Sequence, residues 1–232
     1  MNRINIGLVL LNKNEAQSLE ILLPHINQKD FEKTFAVDGG STDDSVSIIE
    51  KYNIPVLIQK SRGRGEAFKL AFNHAKSENL DALLFFSSDC NEDWNDLAKF
   101  REHLENGADI VIASRMMSDS HNEEDDKIFR FRKWGNKTFS WLAYLSFGIG
   151  NKRITDPING YRAITTKAWD RMDIASQGFS VEYETSIRSY KLNLKVAEFP
   201  TFEHPRLFGE STATAYRTTV AMLNTYLRNV GK

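Results

Sequence analysis

Asp89, Asn91 and Asp93 recur at every second position of a short loop, directly after the apolar run Ala82–Phe86. Oxygen ligands at that spacing can face one hard cation, and Mg2+ or Mn2+ held there would bridge them to a diphosphate. The same residues can instead open a helix, with Asn91 or Asp93 capping the turn that begins near Trp94. A second cluster, Asp38–Gly39–Gly40–Ser41–Thr42–Asp43, offers a strand-end carboxylate to a base edge or a ribose. Its plainer reading is a glycine turn followed by a Ser or Thr helix cap. Arg62–Gly63–Arg64–Gly65 brings two guanidinium groups and glycine-exposed backbone N–H groups ahead of a helix, which in outline is a phosphate cradle. It lacks the lysine of a Walker loop and the spacing of a dinucleotide fingerprint, so a solvated basic loop explains it equally well.

Three later segments add polar groups. Asp156–Pro157–Ile158–Asn159–Gly160–Tyr161–Arg162 reads as a turn entering a strand. Glu182 and Glu184 follow Gly178–Phe179, and Glu184 stands four residues before Arg188, the spacing of a surface ion pair on a helix. His204–Pro205–Arg206–Leu207–Phe208–Gly209–Glu210–Ser211 is either a mobile basic loop or a plain connection.

The elements that must position these groups alternate through the first half. Ile4–Leu11, Thr34–Val37, Ile54–Ile58, Ala82–Phe86 and Asp109–Ala113 are apolar runs of strand length, suited to strands buried on both faces. Helical patterns separate them: Leu19, Leu22, Leu23 and Ile26; Val46, Ile49 and Tyr52; Ala67, Leu70, Ala71 and Ala75; and Trp94–Leu104. This order predicts an α/β fold with a mostly parallel central sheet, right-handed crossovers and flanking helices. Ligands of such sheets bind beyond the carboxyl ends of the strands, where the polar clusters fall. Later elements are a strand near Tyr161–Thr165, a helix over Val181–Tyr190, a strand at Lys195–Phe199 and a last helix from about Thr212.

The bulk numbers exclude more than they choose. With 232 residues and 41% hydrophobic content the chain can bury a core, and we expect one domain over 1–232, with a donor half 1–115 and an acceptor half 116–232. A net charge of −1 gives no global field toward nucleic acid. A single cysteine, Cys90, excludes an internal disulfide framework. No stretch reaches the roughly 20 apolar residues of a membrane span, and no leader opens the chain, so a cytoplasmic enzyme is expected. One segment departs from the average. Lys127–Arg153 has seven basic residues and no acidic ones, and it carries Phe129, Phe131, Trp134, Phe139, Trp141, Tyr144 and Phe147. That composition suits a helix lying on a membrane surface at its inner face, recognition of a lipid phosphate, or aromatics packed on the main domain. The acidic run Asp119–Asp126 just before it is expected to swing away as a loop.

Taken in order, the segments resemble family 2 glycosyltransferases of the GT-A fold, most nearly the polyprenyl- and dolichol-phosphate mannosyl- and glucosyltransferases. The matching positions run from Leu11–Asn12–Lys13–Asn14–Glu15 through Asp38–Asp43, Gly63–Arg64–Gly65, Asp89–Cys90–Asn91, Ala113–Ser114–Arg115 and Asp156–Tyr161 to Arg206 with Gly209–Glu210–Ser211. Asn91 stands where the family segment has a second Asp. The resemblance implies a nucleotide-diphosphate sugar as donor, with Leu11, Asn12, Glu15 and Asp38 about the nucleoside. It places Arg62 and Arg64 near the diphosphate and Asp89, Asn91 and Asp93 on Mg2+ or Mn2+. Asp156 would lie near the reacting centre, and Arg115, Arg206 and Ser211 would meet phosphate groups. An anionic phosphate acceptor needs no strong base, whereas a sugar hydroxyl would, with Asp156 or Glu184 as candidates. The expected reaction is inverting transfer to a polyprenyl-phosphate-type acceptor. A glycan or other soluble acceptor, a catalytically weak nucleotide-sugar binder, a sugar-nucleotide pyrophosphorylase and a nucleic-acid binder are the rivals.

Overall fold

The structure, a computed structural model, describes residues 3–122, 131–208 and 215–231. The acidic run from position 123 onward, Lys127 to Arg130 with Phe129, and Gly209, Glu210 and Ser211 lie outside the described residues.

Five strands of the alternating half form β1 (Ile6–Asn12), β2 (Lys33–Asp38), β3 (Val56–Ile58), β4 (Ala82–Ser87) and β5 (Ile110–Ser114). The helices between them are α1 (Ala16–Leu22), α2 (Ser45–Lys51), α3 (Arg64–Ser77) and α4 (Leu97–Glu105). After α5 (Phe131–Ala143) and a π-turn at Tyr144–Gly148 come β6 (Arg162–Thr165), α6 (Thr166–Met172), α7 (Val181–Lys191), β7 (Val196–Pro200) and α8 (Ala215–Val230). Thr165 starts α6, its hydroxyl accepting from the Ala168 N–H at 3.2 Å.

The strands make one seven-stranded sheet in the order β3-β2-β1-β4-β6-β5-β7. β1 pairs parallel with β2 and β4, β2 with β3, and β5 with β7, while β6 runs antiparallel between β4 and β5. The mostly parallel sheet expected from the sequence is therefore present, with one reversed strand inserted.

Period-two alternation assigns each strand residue to a face. Ile6, Leu8 and Leu10 of β1 and Leu84 and Phe86 of β4 join Leu19, Leu22, Ile49, Phe100 and Leu104 from α1, α2 and α4. Val9, Leu83 and Phe85 face the other way, onto Phe68 and Phe72 of α3, Met172 of α6 and Ile187 of α7. Burial on both faces explains why β1 and β4 read as unbroken apolar runs.

Candidate functional site

β1, β2, β4 and β5 end on one edge of the sheet, each followed by a polar loop. Because β6 is antiparallel, its start reaches that same edge, with Arg162 opposite Phe85 and Ile112. This reversal carries the Asp156–Tyr161 turn to the ends of β4 and β5. A cavity of about 370 Å3 opens there, and its walls include Arg64, Asp89, Glu92, Arg115, Arg132 and Arg206.

The floor is built around Arg115, which follows β5. Its Nε donates to Asp156 Oδ2 at 2.8 Å, its Nη2 to Asp156 Oδ1 at 3.1 Å and its Nη1 to Glu203 Oε1 at 2.6 Å. Its backbone N–H also reaches Asp156 Oδ2, at 3.1 Å. Asn136 of α5 donates to Asp156 Oδ1 at 2.6 Å, and Asn122 donates to Glu203 Oε2 at 2.7 Å. Asp156 is fully buried. Burial pushes its carboxyl upward, but the Arg115 guanidinium and the hydrogen bonds outweigh that and hold it below the usual range. Asp156 thus sits behind Arg115, charge-paired, and does not line the cavity; as a base it is poorly matched.

One wall is Arg64, whose Nε donates to Glu182 of α7. A Cβ on Gly160 would meet Arg64 Nη2 at 1.9 Å, so any larger residue there would displace this guanidinium. The glycines beside Arg64 serve another close approach. Gly63, at φ 123°, and Gly65 press on the Ser176–Gln177 backbone, where a Cβ would come within 2.2 Å and 2.1 Å of carbonyl oxygens. The Gly65 and Glu66 N–H groups donate to Gln177 O, at 2.8 and 3.3 Å. The cradle expected of this loop therefore keeps its Arg64 side chain, while those two amides are taken by the protein. Arg62 is exposed and outside the cavity lining.

The rim carries the acidic loop. Arg206 bridges two carboxylates, donating from Nη1 to Glu15 Oε1 at 3.0 Å and from Nη2 to Asp89 Oδ2 at 2.5 Å. Asn91 lines the cavity and donates its amide N–H to His204 O. Asp93 turns away and takes the helix-cap role, its Oδ1 accepting from the Asn95 N–H at 2.9 Å. Glu92, between Asn91 and Asp93 in this loop, is buried against the cavity and accepts from the Ser87 N–H at 2.7 Å. Burial, with Asp89 nearby, pushes its carboxyl up to about 8. Burial also raises Glu15, with Arg206 opposing.

Beside the rim, Asn12 and Asp38 are register partners at the ends of β1 and β2. Asp38 Oδ1 accepts from Asn12 Nδ2 at 2.7 Å and Ser41 Oγ at 2.5 Å, and Oδ2 from the Gly40 and Ser41 N–H groups at 2.9 and 2.8 Å. Its carboxylate shapes the loop that follows it. Leu11 is half-buried, and its carbonyl accepts from the Ser88 N–H at 3.2 Å.

Glu184 is not brought to the cavity. It is fully buried, accepts from the Ala175 and Ser176 N–H groups at 3.2 and 2.6 Å, and faces Arg228 Nη2 at 3.0 Å. The surface pair expected with Arg188 is corrected on both counts: the residue is interior, and its cation comes from α8. On α5, Trp134 and Trp141 are exposed at 70% and 50%, while Phe139 is buried against Tyr183, so the helix divides its aromatics between solvent and core. Sequence reading missed Glu203, Asn122 and Asn136, and held Arg132 only as one cation of the basic aromatic segment. Only Asn136 left a signal, as a polar residue on the face shared with buried Phe139, Ser140 and Ala143.

A model described as Glycosyl transferase family 2 matches residues 8–171. Glycosyltransferase AglJ of Haloferax volcanii is 26% identical over 201 residues, which is 86% of this chain and 63% of that protein. The low-salt glycan biosynthesis hexosyltransferase Agl6 of the same organism is 23% identical over 192 residues, and the chain spans 45% of its length. An undecaprenyl-phosphate mannosyltransferase of Micrococcus luteus is 25% identical over 211 residues, covering 85% of this chain and 83% of that one. Among solved structures, glucosyl-3-phosphoglycerate synthase from Mycobacterium tuberculosis, in complex with Mn2+, UDP-glucose and phosphoglyceric acid, shares the fold with a TM-score of 0.74 at 18% identity. The match covers 98% of this chain and 80% of that one.

Proposed function

The chain belongs to glycosyl transferase family 2, and from that premise we propose that it moves a hexosyl group from a nucleotide-diphosphate sugar to a polyprenyl-phosphate-type acceptor, with inversion. The observation that supports this most is the cavity wall, where Arg64, Arg115, Arg132 and Arg206 surround one space beside Asp89. Four guanidinium groups suit more phosphate than the donor alone supplies. In this reading residues 1–232 act as one catalytic domain, with positions 1–115 mainly serving the donor and 116–232 the acceptor.

Leu11, Asn12, Glu15 and the loop shaped by Asp38 receive the nucleoside. Arg64 and Arg206 offset charge on the diphosphate, and Arg115 and Arg132 take the acceptor phosphate. No three His, Cys, Asp or Glu side chains among the described residues gather as a metal cluster, so a divalent cation here would rest on the Asp89 carboxylate at the cavity, the amide oxygen of Asn91, whose nitrogen is taken by His204 O, and the donor's own phosphates. Asp93 is committed to its cap and is the weakest of the three candidates. Mg2+ or Mn2+ at Asp89 and Asn91 would supply charge stabilisation at the departing diphosphate. A phosphate acceptor arrives anionic, which agrees with a site whose buried Asp156 is already paired with Arg115. The relative that acts on undecaprenyl phosphate supports the acceptor class.

A lipid acceptor implies peripheral contact with a membrane. No helix of the described residues is long and apolar enough to cross one. Exposed Trp134, Trp141, Leu145 and Ile149 beside Lys137 and Lys152 support a surface contact, and α8 adds exposed Tyr216, Leu223 and Leu227. A small soluble phosphate acceptor is the second reading, favoured by the phosphoglyceric acid in the structural neighbours.

The test is a screen of UDP-, GDP- and dTDP-sugars with Mg2+ or Mn2+, following nucleotide release with and without polyprenyl phosphate. Release with one donor, stimulated by the lipid and lost in Asp89→Ala with the fold intact, is expected. Full activity in excess EDTA would remove the metal role. Stimulation by phosphoglyceric acid or a glycan in place of the lipid would overturn the acceptor.

A further inference from the structure

Arg206 holds a position unlike that of the other cavity arginines. Its guanidinium lies between Glu15 and Asp89, and Asp89 is the carboxylate assigned above to the divalent cation. Glu15 and Asp89, from two different loops, both reach this one guanidinium. Carboxylates gathered this way repel one another unless a cation lies among them. Here an arginine from another segment supplies that charge.

The segment that carries it is tied to the acidic loop. Glu203 bridges to Glu92, the His204 N–H donates to Asn91 O at 2.8 Å, and the Asn91 amide returns a bond to His204 O. These bonds end two residues before Arg206. Beyond them, residues 204–208 adopt no helix or strand, and Arg206 keeps a quarter of its side-chain surface exposed. The stem is fixed and the side chain is at the mouth, so the guanidinium can leave Asp89 without unpacking the core.

We propose that Arg206 is an internal counter-cation that holds the divalent ion's place at Asp89 while the donor is absent, and yields it as metal and diphosphate arrive. The exchange rests on the metal reading above. It trades one cation for another: Asp89 passes from the guanidinium to the metal, and the released guanidinium is left at the mouth, within reach of the incoming diphosphate. An internal competitor lowers apparent affinity by the fraction of molecules in which it is displaced. A pair closed about nine-tenths of the time would therefore weaken metal binding about tenfold. Donor-free protein would then hold metal poorly, and metal would enter together with the nucleotide.

The experiment is Mn2+ titration of the nucleotide-free protein by calorimetry, with electron paramagnetic resonance of free Mn2+ as a second readout. Arg206→Gln should bind Mn2+ about tenfold more tightly than wild type. Arg206→Lys should fall between, since an ammonium keeps the charge but not the two-pronged bridge. Asp89→Asn, alone or with Arg206→Gln, should abolish the site. Equal Mn2+ affinity in wild type and Arg206→Gln, with binding still lost in Asp89→Asn, overturns the exchange and leaves the metal reading standing. Binding that survives Asp89→Asn, or is absent from every variant, overturns both.

Discussion

Arg115 and Arg206 are each held by two carboxylates at one cavity, yet the regions around them are built differently. Arg115 follows directly on β5, bonds Asp156 through both its guanidinium and its own backbone N–H, and finds both carboxylates braced from behind by Asn136 and Asn122. Arg206 lies in an irregular segment and meets carboxylates from two other loops across the cavity mouth. A cation fixed by braced partners is preorganised: it costs no rearrangement when an anion arrives. A cation set across loops is exchangeable. On the function proposed above, the floor would define where an acceptor anion sits, and the rim when the site is charged for a donor.

The contrast can be broken first at the floor. Asp156→Ala leaves Arg115 buried with Glu203 alone, and removal of one partner of a buried ion pair costs about 3–5 kcal/mol. Urea unfolding should show that loss, and a drop below about 1 kcal/mol would mean that the floor is no more braced than the rim. A second effect is expected between the two regions, at Glu92. Its carboxyl is raised from 4.5 to about 8, so over that window the folded protein keeps a proton that the unfolded chain releases. Stability from this group is present in full below 4.5 and is lost as pH rises toward 8. Unfolding curves in EDTA should show wild type weakening across that window relative to Glu92→Gln; parallel curves would place Glu92 as an ordinary ionised carboxylate. The smallest effect belongs to the rim. Asn91→Asp loses the donor to His204 O and should cost about 1 kcal/mol of stability, while Mn2+ affinity stays level or tightens. Weaker binding would take Asn91 out of the ligand set.

The strand-end cluster was legible because its side chains lie where the chain itself puts them. Asn12, Asp38 and Asp89 follow apolar strand runs, and strand ends of a parallel sheet place them together. The reversal of β6 was not legible, since an apolar strand pattern reads the same in both directions. Asp93 illustrates a second limit: a ligand and a helix cap call for the same residue type, and only the bond to Asn95 separates them. Glycines at 63 and 65 announced a close approach, but not that the approaching group is the Gln177 carbonyl. The partners Glu203 for Arg115 and Arg228 for Glu184 lie far along the chain, where spacing carries no information.

The reversed strand has one more consequence. β5 and β6 are neighbours in the sheet, so the chain leaves the edge after Ser114 and returns to it before Arg162 at almost the same point. Ser114 and Thr155 hydroxyls meet at 2.7 Å, Arg115 clasps Asp156, and Asn159 Nδ2 donates to Ala113 O at 2.5 Å, so the two stems are stapled together. Everything between them, including α5, is an excursion with fixed gateposts. Lengthening such an excursion costs little, because closure entropy grows only with the logarithm of its length. The connection between β5 and β6 can therefore change in length while the strands on either side of it keep their register.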